Sequence, residues 1–157
     1  MSKISPCLWF DGQAEEAMNH YLSIFKHSKQ LSVSHYGKNM PMPEGTVLVA
    51  TFEIHGQEIM ALNGGPQFKF SEAISLHVRC EDQAEIDHLW DRLSDGGEPG
   101  PCGWLKDRFG VSWQIVPHAL EALLSDKDTA KAGRVMQALM GMRKIDIATL
   151  RAAHDQV

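Results

Sequence analysis

The sequence has no long hydrophobic run, no basic stripe and little cysteine, and each of these absences excludes a class of protein. No apolar stretch approaches the roughly 20 residues that a membrane-spanning helix needs. Acidic and basic residues are mixed along the chain, and a net charge of −5 over 157 residues argues against nucleic acid as a partner. The first residues lack the apolar stretch and cleavage site of a secretory signal. We therefore expect a cytoplasmic protein with neither a membrane nor a nucleic-acid partner.

Cysteine is too scarce and too scattered to form a disulfide framework or a zinc site. Cys7, Cys80 and Cys102 are far apart and odd in number, and no Cys-x-x-Cys pair occurs. We interpret the three residues as reduced thiols, as is usual for proteins of the cytosol.

What is present is the composition of one ordinary globular domain, with 43% apolar and 22% charged residues. We expect a single domain that spans residues 1–157. It comprises a first module of about residues 3–63, a second module of about residues 73–117 and a helical tail of about residues 118–157.

The two modules are predicted because one order of elements occurs twice. Residues 4–62 read as a strand, a helix and three strands, and residues 74–116 read as a strand, a helix and further strands. Shifted by 70 positions, "DGQAEE" (11–16) aligns with "EDQAEI" (81–86). The predicted fold is therefore α+β, with two tandem βαβββ modules and C-terminal helices. Each module should form a small antiparallel sheet covered on one face by its helix, and the two other faces should curve around a shared cleft.

Alternation along the strands predicts which side chains face that cleft. In "VSWQIV" (111–116), Trp113 and Ile115 should lie under the helix, and Ser112 and Gln114 should face the cleft. The same alternation assigns the remaining strands: Ile74, Leu76, Val78, Leu8 and Phe10 to the helix side, and Ser75, His77, Arg79, Ser5, Cys7 and Trp9 to the cleft side.

Several blocks of this sequence resemble one protein family. They are "AEEAMNHYLSIF" (14–25), "TFEIHGQEIMALNGGPQFKFSEAISL" (51–76), "EDQAEIDHLW" (81–90), "CGWLKDRFGVSWQIVP" (102–117) and "RKIDIATLRAA" (143–153). The chain is similar to the vicinal-oxygen-chelate superfamily of glyoxalase I, bleomycin-resistance proteins and extradiol dioxygenases. It most resembles the PhnB-like branch, often labelled "3-demethylubiquinone 3-methyltransferase". The resemblance implies paired βαβββ modules and a homodimer, but it does not supply a reaction, because function depends on sites rather than folds.

Metal-dependent members of the superfamily bind one divalent ion through His, Gln or Glu side chains. In this sequence, the positions that correspond to those metal ligands lie near Ser5, near Ile59 or Ala61, near Ser75, and at Gln114. Only Gln114 is a credible ligand, and zinc, iron or nickel needs several imidazole or carboxylate donors. Glu53 and His77 are the only nearby residues that could supply further metal ligands. We therefore predict no bound metal and no cofactor.

The methyltransferase label finds no support in a cofactor motif. A Rossmann-type S-adenosylmethionine site needs a glycine-rich turn between a strand and a helix. Here "NGGP" (63–66) leads to an aromatic loop and "GGEPGP" (96–101) leads to a strand.

Three further features of the sequence leave alternatives open. Cys7 with His77 could begin a thiol site, although a buried free cysteine often acts only as a small hydrophobic group. Arg79 could hold an anionic substrate, or it could pair with Glu53 or Asp107. Trp104 could line a pocket, lie in the core or contact a partner copy.

We therefore expect a cleft with aromatic walls and a few polar groups, which is the usual composition of a small-molecule pocket. The predicted ligand-binding residues are Trp9, Ser75, His77, Arg79, Trp104 and Gln114. We predict a glyoxalase-like protein that binds a small organic molecule in a metal-free cleft. The alternatives are a metal-dependent lyase, isomerase or dioxygenase and a metal-independent enzyme.

Overall fold

In the computed structural model, which describes residues 2–156, the chain divides into two compact units between Phe70 and Ser71. The first unit contains β1 (Cys7–Phe10), α1 (Ala14–Ile24), β2 (Ser28–His35), β3 (Val47–Ile54) and β4 (Gln57–Asn63). The second contains β5 (Leu76–Cys80), α2 (Gln83–Ser94), β6 (Glu98–Pro99), β7 (Trp104–Lys106) and β8 (Ser112–Pro117). Three helices follow: α3 (His118–Leu124), α4 (Thr129–Met140) and α5 (Ile147–Asp155). This architecture confirms the predicted α+β fold with a repeated module and C-terminal helices.

The two four-stranded sheets have the same topology, but they are mixed rather than antiparallel as predicted. Their strand orders are β1-β4-β3-β2 and β5-β8-β7-β6. The first strand of each module pairs in parallel with the last, and the remaining pairs are antiparallel. Alternation of apolar residues indicates a half-buried strand but carries no information about strand direction, which explains the wrong prediction.

Helix α1 covers one face of the first sheet through a single apolar stripe. Its buried residues are Ala14, Ala17, Met18, Tyr21 and Ile24. The Asn63 carboxamide, at the end of β4, accepts a hydrogen bond from the Ala14 backbone N–H at 2.8 Å and donates one to the Val47 carbonyl at 3.0 Å. A side chain from the sheet therefore caps the helix and sets its position on β3 and β4.

Helix α2 covers the second sheet in the same way. Asp82 caps it by accepting a hydrogen bond from the Glu85 backbone N–H at 2.9 Å. Its apolar stripe packs on β5, β7 and β8. The stripe consists of Ile86, Leu89, Trp90 and Leu93.

Helices α3–α5 form their own apolar cluster beside the second sheet. The cluster consists of Val116, Leu120, Val135, Leu139, Ile145 and Leu150. Backbone N–H groups of Cys102 and Gly103 donate to the carbonyls of Met142 and Arg143, each at 2.8 Å. These bonds fasten the segment between α4 and α5 to the start of the β7–β8 hairpin. Within residues 2–156, no helix is long and apolar enough to span a membrane.

The predicted strand faces are largely correct within each unit. Trp113 and Ile115 are buried beneath α2, and Leu8 and Phe10 are buried in the first unit. Ile74 is the exception, because it precedes β5 and its side chain is 78% exposed. The strand is shorter than the alternating pattern, so the pattern assigned a face to a residue outside the sheet.

Candidate functional site

Three predicted site residues form a row across the second sheet. His77 of β5 is the register partner of Gln114 in β8, and Gln114 is also the register partner of Trp104 in β7. Register partners lie on the same face of a sheet, and this is the face opposite the α2-covered side chains of Trp113 and Ile115. His77 is exposed, while Gln114 and Trp104 are half-buried. An imidazole, a carboxamide and an indole are thereby aligned side by side.

Gln114 is held in this row by a residue 39 positions away. Its Nε2 atom donates a hydrogen bond to the Ser75 hydroxyl at 2.9 Å. Ser75 lies immediately before β5, and it is half-buried. The contact fixes the plane of the carboxamide and leaves its Oε1 atom as an acceptor.

Two further residues of the second unit occupy the same face but differ from the sequence expectation. Arg79 pairs with neither Glu53 nor Asp107, because its Nε and Nη2 atoms donate to Glu121 of α3 at 3.1 and 2.9 Å. Ser112 is buried, and its hydroxyl has no hydrogen-bond partner among residues 2–156. The Arg79–Glu121 pair is half-exposed, so its contribution to stability is small.

Trp9, the sixth predicted ligand-binding residue, lies in the first unit, where its side chain contacts a loop. Its Nε1 atom donates to the Gly65 carbonyl at 2.9 Å, and Phe68 packs edge-on against its ring with centroids 5.0 Å apart. A side chain at Gly64 would come within 2.4 Å of the indole, so this close approach requires glycine. Trp9 therefore anchors the "GGPQFKF" loop (64–70) to β1.

The ligand positions that the family resemblance implies do not fit a divalent ion in either unit. In the second unit the donors are the Ser75 hydroxyl and the Gln114 carboxamide, which bond to each other. In the first unit Ile59 and Ala61 are buried apolar side chains, whereas the β4 residues on the face of Cys7 and Trp9 are Glu58, Met60 and Leu62.

No three His, Cys, Asp or Glu side chains among the described residues are grouped so that they could hold an ion. One carboxylate beside hydroxyl, amide and thioether groups is a weak set of donors for zinc, nickel or iron. The residues present near the implied positions therefore do not match the divalent ion that the resemblance implies.

Cys7 and Cys80 give no sign of an activated thiol. Cys7 is exposed as a residue, but partial desolvation of its thiol raises its pKa above the ordinary value. Burial, reinforced by nearby carboxylates, raises the pKa of Cys80 to about 12. A nucleophilic cysteine instead needs a lowered pKa from a neighbouring cation or helix N-terminus.

Asp107 shapes the β7–β8 hairpin that carries Trp104 and Gln114, a role that was not predicted from the sequence. Its carboxylate accepts hydrogen bonds from the backbone N–H groups of Phe109 and Val111 and from the Trp113 indole, at 2.9, 3.0 and 2.9 Å. The aspartate three residues before Gly110 is a turn signal that could have identified it.

Comparisons with known proteins agree with this architecture. Residues 2–116 match the sequence model of the family described as 3-demethylubiquinone-9 3-methyltransferase. A putative 3-demethylubiquinone-9 3-methyltransferase, PhnB protein, from Bacillus cereus is 41% identical, with a TM-score of 0.67, and the match covers 74% of this chain and 99% of that one.

Two more distant structures share the fold alone. A Pseudomonas aeruginosa protein is 22% identical over 74% of this chain and 98% of its own, with a TM-score of 0.62. The fosfomycin resistance protein FosX from Listeria monocytogenes is 16% identical over 80% of this chain and 98% of its own, with a TM-score of 0.54. A search of curated proteins finds no match.

The repeated modules, the matched sequence over most of the chain and the Bacillus cereus relative lead to one assignment. The chain belongs to the PhnB-like, 3-demethylubiquinone-9 3-methyltransferase family.

Proposed function

We propose that this protein binds a small organic molecule without a metal ion, and that His77, Gln114 and Trp104 contact the ligand. The observation that carries the proposal is the alignment of these three side chains in one row across β5, β8 and β7. The Trp104 indole provides a surface for a flat apolar part of the ligand. His77 and Gln114 provide hydrogen-bonding groups for its polar substituents. The Gln114 Oε1 atom accepts a hydrogen bond, so the ligand carries an N–H or O–H donor.

The donor chemistry at the implied metal positions supports a metal-free mode of binding. Gln114 donates a hydrogen bond to Ser75, and both side chains stay uncharged at neutral pH. A divalent ion would gain no compensating negative charge from them. The family label names a methyltransferase, but the glycine-rich turns of this chain do not support such a reaction: Gly64-Gly65 precedes a loop, and Gly96-Gly97 precedes the short strand β6.

A thermal-shift screen of metabolites, with and without EDTA, tests the proposal. A ligand that binds only the native state raises the midpoint of unfolding. We expect at least one compound to raise the midpoint equally with and without chelator. The same shift should be lost in Gln114→Ala and in His77→Ala, and it should persist in Gln57→Ala, which alters an exposed glutamine of β4.

Two results would overturn the proposal. One is a ligand-induced shift that disappears when EDTA is added and returns with a divalent ion, which would favour a metal-dependent lyase, isomerase or dioxygenase. The other is a shift that survives both Gln114→Ala and His77→Ala, which would place the ligand elsewhere.

We also propose that the protein is a homodimer, as its family resemblance implies. Exposed apolar side chains support this proposal, since Phe68 is 66% and Ile74 is 78% exposed in the single chain. Light scattering coupled to gel filtration should give twice the 17.5 kDa mass of one chain. A monomer mass across the accessible range of protein concentration would contradict it.

A further inference from the structure

Two histidines lie opposite each other at one end of the first sheet. In the β2–β3 ladder Ser28 is the register partner of Ile54, so His27 and His55 form the next cross-strand pair. The His55 backbone N–H donates to the His27 carbonyl at 2.7 Å, which holds the two backbones together. His55 has φ 47° and Gly56 has φ 82°, which are typical of the two-residue turn that joins β3 to β4.

The two imidazole rings are spaced as two ligands of one ion would be. Their centroids are 5.3 Å apart, and their planes are inclined at 68°. Zinc–nitrogen bonds are about 2.0–2.1 Å long, so two imidazoles on a tetrahedral ion have centroids about 5 Å apart. The Phe25 ring packs edge-on against His55 with centroids 6.2 Å apart, which restricts the His55 ring on one side.

The space beside the histidines is open to an incoming ion. His27 and His55 are both exposed, and they border a cavity of about 460 Å³. Glu53, two residues before His55 on the same strand, also lines this cavity and contributes negative charge. Lys26 and Lys29 line it as well, but their ammonium groups sit on flexible four-carbon stems that can extend into solvent.

We propose that His27 and His55 form a binding site for a divalent transition-metal ion of the zinc, nickel and copper class. Neutral imidazole is a favoured ligand of these ions, and a cross-strand pair supplies two such ligands at little entropic cost. Water molecules complete the coordination sphere. The site lies in the first unit and shares no residue with the His77–Gln114–Trp104 row, so it is independent of the proposed ligand-binding function.

Calorimetric titration of the full chain with ZnCl₂ and with NiCl₂ tests this site. We expect one ion per chain at pH 7.5. Loss of groups that merely support a metal ligand costs about tenfold in affinity. Replacement of a ligand, in His27→Gln or His55→Asn, should therefore weaken binding by at least about tenfold. Asparagine is chosen at position 55 because it tolerates a positive φ.

The matched control is His35→Gln, which removes another exposed histidine of β2 and should leave binding unchanged. Circular dichroism should show both site variants to be folded. Equal affinity in His27→Gln, His55→Asn and the unmodified chain would overturn the proposal. The screen with EDTA is repeated on the His27→Gln variant, so that an ion at this surface is not mistaken for one beside Gln114.

Discussion

Gln114 donates a hydrogen bond to Ser75 at 2.9 Å, and the two residues occupy positions where the family resemblance implies ligands of a metal ion. The bond joins the residue before β5 to the middle of β8. It gives a neutral, paired hydrogen-bonding group. The chemistry of this pair therefore does not match the divalent ion that the resemblance implies.

Replacement of Ser75 and Gln114 by metal-ligating residues should create affinity for a divalent ion. We expect the Ser75→His/Gln114→Glu double variant to bind Zn²⁺ or Ni²⁺ at a site absent from the parent chain, since imidazole and carboxylate are ligands of both ions. Calorimetric titration in a His27→Gln background measures this binding without the surface pair. The matched control is Ser75→Ala/Gln114→Ala, and equal metal affinity of the two double variants would contradict the prediction.

Loss of the Asp107 carboxylate should destabilise the hairpin that carries the candidate site. Asp107→Ala leaves the N–H groups of Phe109, Val111 and Trp113 without their acceptor in a buried place. We expect the free energy of unfolding to fall by about 3 kcal/mol. Urea denaturation measures it, with the exposed Asp91→Ala on α2 as control. A change as small as that of the control would show that the hairpin holds its shape without this carboxylate.

The pairing of His154 in α5 with two carboxylates makes stability depend on pH. His154 Nδ1 lies 2.9 Å from Asp155 Oδ1, and Nε2 lies 2.7 Å from Asp126 Oδ2. Hydrogen bonds to Asp155 and then to Asp126 raise the pKa of this imidazole above its usual value. Because the folded pKa is raised, the stabilisation is fully present below about pH 6.5 and is lost as the pH rises through the folded value.

We therefore expect His154→Gln to lower the unfolding midpoint most near pH 6 and progressively less toward pH 9. Thermal denaturation across this range measures the difference from the parent chain. His118→Gln, an exposed histidine of α3, should give a difference that does not follow this course. A constant effect of His154→Gln at every pH would indicate packing alone.

Cys7 should react slowly with alkylating agents at neutral pH. Its pKa is raised by burial, so little of the reactive thiolate is present at pH 7. We expect the rate of iodoacetamide modification to keep rising above pH 9, and Cys7→Ser to bind any ligand found in the thermal-shift screen as tightly as the parent chain. Mass spectrometry of the modified peptide measures the rate. Rapid modification of Cys7 at pH 7 would contradict this prediction and would favour a thiol-based reaction.

Features with local causes were predictable from the sequence. The limits of α2 follow from the cap at Asp82 and from apolar residues spaced at 3.6-residue intervals, and Asp146 caps α5 by accepting from the Thr149 N–H at 3.1 Å. Alternation placed Trp113 and Gln114 on opposite faces of β8. Such features are predictable because each depends on neighbours within one or two turns of the chain.

Features that depend on distant partners were not predictable. The acceptor for Arg79 is Glu121, 42 residues away, and neither charge pattern nor spacing pointed to it. The parallel pairing of β1 with β4 and the place of Ile59 and Ala61 beneath α1 depend on register, which a single sequence leaves open.

The sequence by itself determined that the chain forms two βαβββ modules with apolar faces under helices, because periodicity and caps act locally. Only the tertiary structure decided that Gln114 bonds to Ser75 and lies between His77 and Trp104. That arrangement requires three strands to pair in one register, and the pairing energy comes from contacts that are far apart in the chain.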